Sequence, residues 1–191
     1  MKTSRIVLVL IVVAVGLFFA LAPRMAEERM NRVLPHERAP VSPEAAALHA
    51  DLVVGDLHAD SLLWRRDLLQ RADRGHVDLP RLRAGNVALQ VFTAVTKTPA
   101  GMNYEENASD ARDNITLLAL AQRWPSRTWD SLAERALYQA AKLHRFAEQA
   151  PESLRLLRQG SDVPRLLAAR AAGAQTVGAV LGIEGAHALD G

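Results

Sequence analysis

The stretch Leu52-Val53-Val54-Gly55-Asp56-Leu57-His58-Ala59-Asp60 decides the fold class. Its apolar half is a short continuous run of the kind that makes a buried strand, and it ends in two polar residues one position apart. Residues 87–95 and 176–183 read the same way, the last run closing on Glu184-Gly185-Ala186-His187. Between the strands the pattern predicts helices. One follows the first strand over 61–69. Another covers 110–123 and is closed by Pro125. A third covers 131–148 and is opened by the capping-box spacing of Ser131 and Glu134, and a fourth covers 162–172 and is closed by Gly173. Strands separated by helices imply parallel βα units, an α/β fold.

In such folds the carboxyl ends of the strands converge on one rim, and the polar residues sit there. Side chains at i and i+2 of a strand share a face, so His58 and Asp60 present an imidazole and a carboxylate to one point if the strand persists through them. Glu184 closes another apolar strand and could meet them. The chain has no cysteine, which excludes disulfides, thiolate metal sites and cysteine nucleophiles. Nitrogen and oxygen ligands of this kind suit zinc. The competing reading is a capped turn, with Asp60 as N-cap of the following helix and His58 as a half-buried polar residue.

Three ordered blocks carry a family resemblance: Asp56-Leu57-His58-Ala59-Asp60, the run from Gly75-His76-Val77-Asp78-Leu79-Pro80 to Gln90-Val91-Phe92, and Ile183-Glu184-Gly185-Ala186-His187-Ala188-Leu189. In order and spacing they resemble the membrane dipeptidase (renal dipeptidase) family over about residues 50–191. The resemblance implies a (β/α)8 TIM barrel and zinc-dependent hydrolysis of dipeptides. It also implies two zinc ions, with His58 and Asp60 ligating the first and Glu184 bridging both. Asp56 is expected to support them through a hydrogen bond. The chain departs from the family pattern at Leu57 and Ala59, which replace Gly and Asn beside the first histidine, and at Ala186, which replaces a second glycine.

The remaining zinc histidines and the family's catalytic and substrate-binding residues would lie beyond Gly191. A full barrel takes about 250 residues, and roughly 145 remain after the N-terminal segments. The chain is therefore expected to be the N-terminal half of the barrel, inactive alone. Two other classes stay open. One is a non-catalytic membrane-anchored barrel; the other is a related metal-dependent hydrolase of amides or esters.

The N-terminus directs the chain to a membrane. After a short basic head at 1–5, residues 6–23 carry no charge and approach the length that spans a hydrocarbon core. Ala20-Leu21-Ala22 has the form of a cleavage site, but Pro23 would then be the first mature residue, which favours an uncleaved single-pass anchor. The basic head suggests that the body is exported, to the periplasm or the cell exterior. Residues 24–45, charged and dotted with Pro35, Pro40 and Pro43, read as a stalk, and 46–191 as the barrel part.

The pI near 9.4 does not point to nucleic acid. Residues 1–45 carry six basic against four acidic residues, and 46–191 carry 17 of each, so the body is neutral and lacks a phosphate-binding patch. Other polar residues take structural readings: Asp78 as a cap or loop residue, His76 as structural, His187 as a packing or hydrogen-bonding group, and His144 as solvated. Asn107-Ala108-Ser109 and Asn114-Ile115-Thr116 fit the glycosylation sequon.

Overall fold

The parallel sheet expected from the apolar runs forms, but its strands are not in chain order. The computed structural model describes residues 2–37, 39–106, 108 and 110–189. Its strands are β1 (Val54–Ala59), β2 (Val87–Val95), β3 (Leu154–Leu156) and β4 (Val177–Glu184). All pairings are parallel, in the order β1-β2-β4-β3, so β4 inserts between β2 and the short β3. Seven consecutive pairs join β2 to β4, from Leu89 opposite Gly178 to Val95 opposite Glu184. The β1–β2 pairing is interrupted by two irregularities. Among the described residues the sheet stays open.

Helices α1 (Lys2–Met30), α2 (Pro43–Asp51), α3 (Leu79–Ala84), α4 (Asn114–Ala121), α5 (Leu132–Gln149) and α6 (Asp162–Ala171) complete the fold. Ser131 caps α5 through Glu134 N at 3.1 Å, as its spacing predicts. Asp78 caps α3 by accepting from Arg81 N at 3.0 Å, with Pro80 in the first turn. Neither α3 nor β3 was anticipated as an element. Both are too short to show a period. The Asn107 sequon lies outside the described residues, whereas Asn114 opens α4 and the Thr116 hydroxyl is bonded to Asp113.

Two expectations are corrected. The helix expected over 61–69 is only a 3-10 turn, Ser61–Leu63, followed by irregular chain. The cause is tertiary. Leu62 and Leu68 are buried in one core cluster with Phe92, Leu143, Val177 and Ala179, while Leu63 and Trp64 enter another with Val95, Ile115 and Trp124. A regular helix could not serve both. The stretch expected as a stalk is helical at both ends, because α1 runs on to Met30 and α2 begins at Pro43. Beyond Pro23, Glu27 is buried and faces two guanidiniums, Arg66 at 3.3 Å and Arg74 at 3.1 Å, and Ala26 packs on the second cluster. These contacts hold the last turns of α1 against the body. The apolar part of α1 is long enough to cross a membrane and almost wholly exposed.

Helix α5 supports the loops that follow β1 and β2. Arg135, Gln139 and Lys142, at i, i+4 and i+7, share one helix face. Arg135 donates to Thr128 O, Thr96 O, Trp129 O, Thr116 Oγ1 and the Asp113 carboxylate. Gln139 Nε2 donates to Val95 O at 2.9 Å. Lys142 Nζ donates to Leu62 O and Trp64 O, each at 2.5 Å. Carbonyls that a helix over 61–69 would have used internally are thus taken by side chains.

Burial, helped by the charges of Arg145 and Arg66, lowers Lys142 from 10.5 to about 8. Between those values the unfolded chain holds a proton that the folded chain releases, so folding stability rises with pH across that window. The rise is about 3 kcal/mol. The neutral amine keeps two N–H groups for its two carbonyls. Denaturant unfolding in detergent near pH 7 and pH 10 checks this: wild type gains stability at the higher pH, and Lys142→Met lacks that gain. An equal gain in both proteins contradicts the account.

Candidate metal centre

The irregular β1–β2 pairing bears directly on the first ligand pair. Between Asp56 and Ala59 the register shifts, and within this shift the Asp56 carboxylate turns back to accept from the His58 backbone N–H at 3.1 Å. Asp56 thus fixes the backbone at His58 rather than the imidazole. Leu57 beside it is exposed, so no packing constrains that position. The strand ends at Ala59, and Asp60 follows at the head of the 3-10 turn.

The capped-turn reading of Asp60 fails on geometry. Asp60 stands at the N-cap position but makes no side-chain capping bond there. Its Oδ1 instead accepts from Thr93 Oγ1 on β2 and lies 3.2 Å from His58 Nε2. Thr93 is buried, so its hydroxyl ties the carboxylate to the sheet.

Glu184 reaches the same place by the β2–β4 register, opposite Val95 at the strand end. Two residues earlier on the same face, Gly182 leaves room for β2: a Cβ there would lie 3.2 Å from both Thr93 Cγ2 and Val91 Cγ1. After Glu184 the chain turns through Gly185 at φ 86°, a conformation that suits glycine, and the His187 ring folds back over it. His187 Nε2 is 3.0 Å from Thr96 Oγ1, a hydrogen bond that fits its expected role. Ala188 is buried against Ala94 and Ala136, which anchors the turn to β2 and α5.

His58, Asp60 and Glu184 thereby each offer a ligand atom within 4.8 Å of the others. Glu184 and His58 are exposed and Asp60 is half-buried, so the cluster opens at the carboxyl end of the sheet. Two carboxylates this close repel unless a proton or a cation lies between them. Nitrogen and oxygen ligands about 2 Å from zinc sit roughly 3.3 Å apart, close to the His58–Asp60 separation. The donor set fits zinc.

His76 and Asp78 do not join this cluster. Asp78 is buried as a cap, its second oxygen bonded to Ala72 N and to Arg81, and His76 lies at the surface. His144 is half-buried, with Nδ1 3.4 Å from Arg158 Nη2. Two supporting elements were not read from the sequence: Thr93, and the Arg135-Gln139-Lys142 face of α5. The second left a signal, since polar residues at i, i+4 and i+7 of a helix share the stripe that usually carries its apolar residues.

Residues 42–191 match the family model described as membrane dipeptidase (peptidase family M19). The match opens at Ser42, the N-cap of α2, and extends over the whole sheet. No curated protein matches the chain.

Proposed function

The chain belongs to the membrane dipeptidase family, and from that premise we propose that it contributes the first-metal side of a zinc-dependent dipeptidase. The convergence of His58, Asp60 and Glu184 at the carboxyl ends of β1 and β4 is the observation that carries this reading. In it His58, Asp60 and Glu184 would hold zinc. The parallel pairing of the sheet is what supports a (β/α)8 barrel, whereas the position of β4 between β2 and β3 departs from the chain order of such a barrel.

When bound, zinc supplies Lewis acidity toward the peptide carbonyl and toward water. The residues of this chain prepare the place. Thr93 holds one Asp60 oxygen, so the carboxylate cannot swing to cap the 3-10 turn. Asp56 holds the backbone at His58. His187, bonded to Thr96, keeps the loop after Glu184 folded back beneath the rim. Lys142 satisfies two carbonyls of the chain after Asp60, and Gln139 satisfies that of Val95 at the end of β2, the strand that carries Thr93. The apolar α1 fits a single-pass anchor, and we read the body as exported.

The test is a dipeptide panel on the complete protein, with and without chelator. Turnover that chelation abolishes and zinc restores supports the reading. Metal binding without turnover of any dipeptide overturns it in favour of a non-catalytic barrel, and turnover confined to cyclic amides or esters moves the substrate class.

A further inference from the structure

A second cavity lies beside the anchor rather than at the metal rim. It encloses about 400 Å³ between the chain after the 3-10 turn, the end of α4 and one face of α5. Four cations line it, Arg65, Arg66, Arg123 and Lys142, with Trp124 and Tyr138 forming an aromatic wall. The aromatic rings pack at 4.7 Å between centroids. The lining contains one acid, Asp67, whose Oδ1 is engaged by Leu69 N at 2.9 Å. Behind the wall, Glu27 is divided between Arg66 and Arg74 and leaves the buried Arg66 Nε without a hydrogen bond. Positive charge is in surplus, and part of it is buried.

The position of the cavity relative to α1 indicates the source of an anion. Arg123 follows α4 in the left-handed conformation, φ 58°, where glycine is the unstrained choice. Its guanidinium lies 5.4 Å from the centre of the Phe19 ring on α1. As a helix, residues 6–23 span about 27 Å, close to the hydrocarbon thickness, and Phe19 stands about 6 Å from their carboxyl end. Arg123 therefore lies near the carboxyl end of the apolar segment, where a long side chain can reach the headgroups, and Trp124 and Tyr138 line the same cavity.

We propose that this cavity binds the phosphate of an anionic phospholipid headgroup in the leaflet next to the body. The site rests on α1 lying in a bilayer and is independent of the hydrolytic reading. Arg65 and Arg123 are exposed and reach the phosphate, while Lys142 and Arg66 form its inner wall. A bound phosphate would offset the repulsion between Lys142 and Arg66, to which Glu27 is the opposing charge.

The test is native mass spectrometry of the full chain released from nanodiscs of equal phosphatidylglycerol and phosphatidylcholine. Retained phosphatidylglycerol should exceed phosphatidylcholine roughly ten-fold, falling to about parity in the double variant Arg65→Gln, Arg123→Gln. Circular dichroism of that variant, unchanged from wild type, shows that the loss is local. Parity in the wild type overturns the proposal. So does displacement of the lipid by millimolar inorganic phosphate, which would make this a soluble-phosphate site, and so does failure of the chain to enter nanodiscs. Dipeptide turnover moves with none of these outcomes.

Discussion

Glu184→Gln in the complete protein is expected to lower zinc affinity more than about a hundred-fold and to remove dipeptide turnover with it. Losing a mere outer-shell partner of a metal ligand costs roughly 10- to 100-fold in affinity or activity, and a ligand itself should cost more. The amide keeps the shape of the carboxylate but not its charge. Glu184 is exposed at the end of β4, so the sheet should tolerate the change. Zinc titration and a turnover assay, with thermal unfolding as the control for folding, check the prediction. A variant that binds zinc and turns over substrate like wild type would remove Glu184 from the site.

The second large effect concerns stability. Arg135→Met is expected to destabilise the chain by about 3–5 kcal/mol, the range for breaking a buried ion pair from one side. The guanidinium is almost fully buried, 1% exposed, and its donors serve three carbonyls, a hydroxyl and the Asp113 carboxylate. Methionine fills the volume but donates to none of them, and Asp113 keeps only its bonds from Thr98 N, Ile115 N and the Thr116 hydroxyl. Asp113 is caught between opposing influences. Burial disfavours its charge, yet bonds from Thr98 N, Arg135 and Ile115 N hold its carboxyl below its ordinary value. Arg135→Lys should recover only part of the loss, since an ammonium has three donors and no planar fork. Denaturant unfolding in detergent measures both variants. A loss below about 1 kcal/mol in Arg135→Met would show that the chain from Thr96 to Trp129 does not depend on this residue.

What was legible in the chain follows the strength of its periodic signals. The runs at 87–95 and 176–183 became β2 and β4 almost residue for residue, because continuous apolar stretches bounded by turns have few alternatives. Helix α5 was equally plain from Ser131, Glu134 and its amphipathic length. The metal candidates were legible because strand ends and i, i+2 spacing are local properties, and they meet as expected. Sheet order was not legible. Nothing local in Leu154-Arg155-Leu156 says that so short a strand pairs with β4 on the side away from β2. The lost helix over 61–69 has the same origin: its leucines look helical in isolation, and only Lys142, some 80 residues away, shows where their carbonyls go. Thr93 was hidden too, since a threonine in a strand is ordinary until the carboxylate across from it is known.

The burial of Glu27 also fixes how α1 joins the body. A flexible stalk would let the candidate metal rim face any direction, whereas a helix held through Glu27 to Arg66 and Arg74 ties the body to the apolar helix α1. The chain between those two arginines follows the Asp60 turn closely, so the attachment of α1 and the candidate metal centre share one stretch of backbone.

Anomalous diffraction at the zinc edge, from crystals of the complete protein grown with zinc, examines the central claim most directly. The account predicts a peak about 2 Å from the His58 imidazole nitrogen and from carboxylate oxygens of Asp60 and Glu184. Zinc bound elsewhere, with these three side chains left without metal, would contradict it.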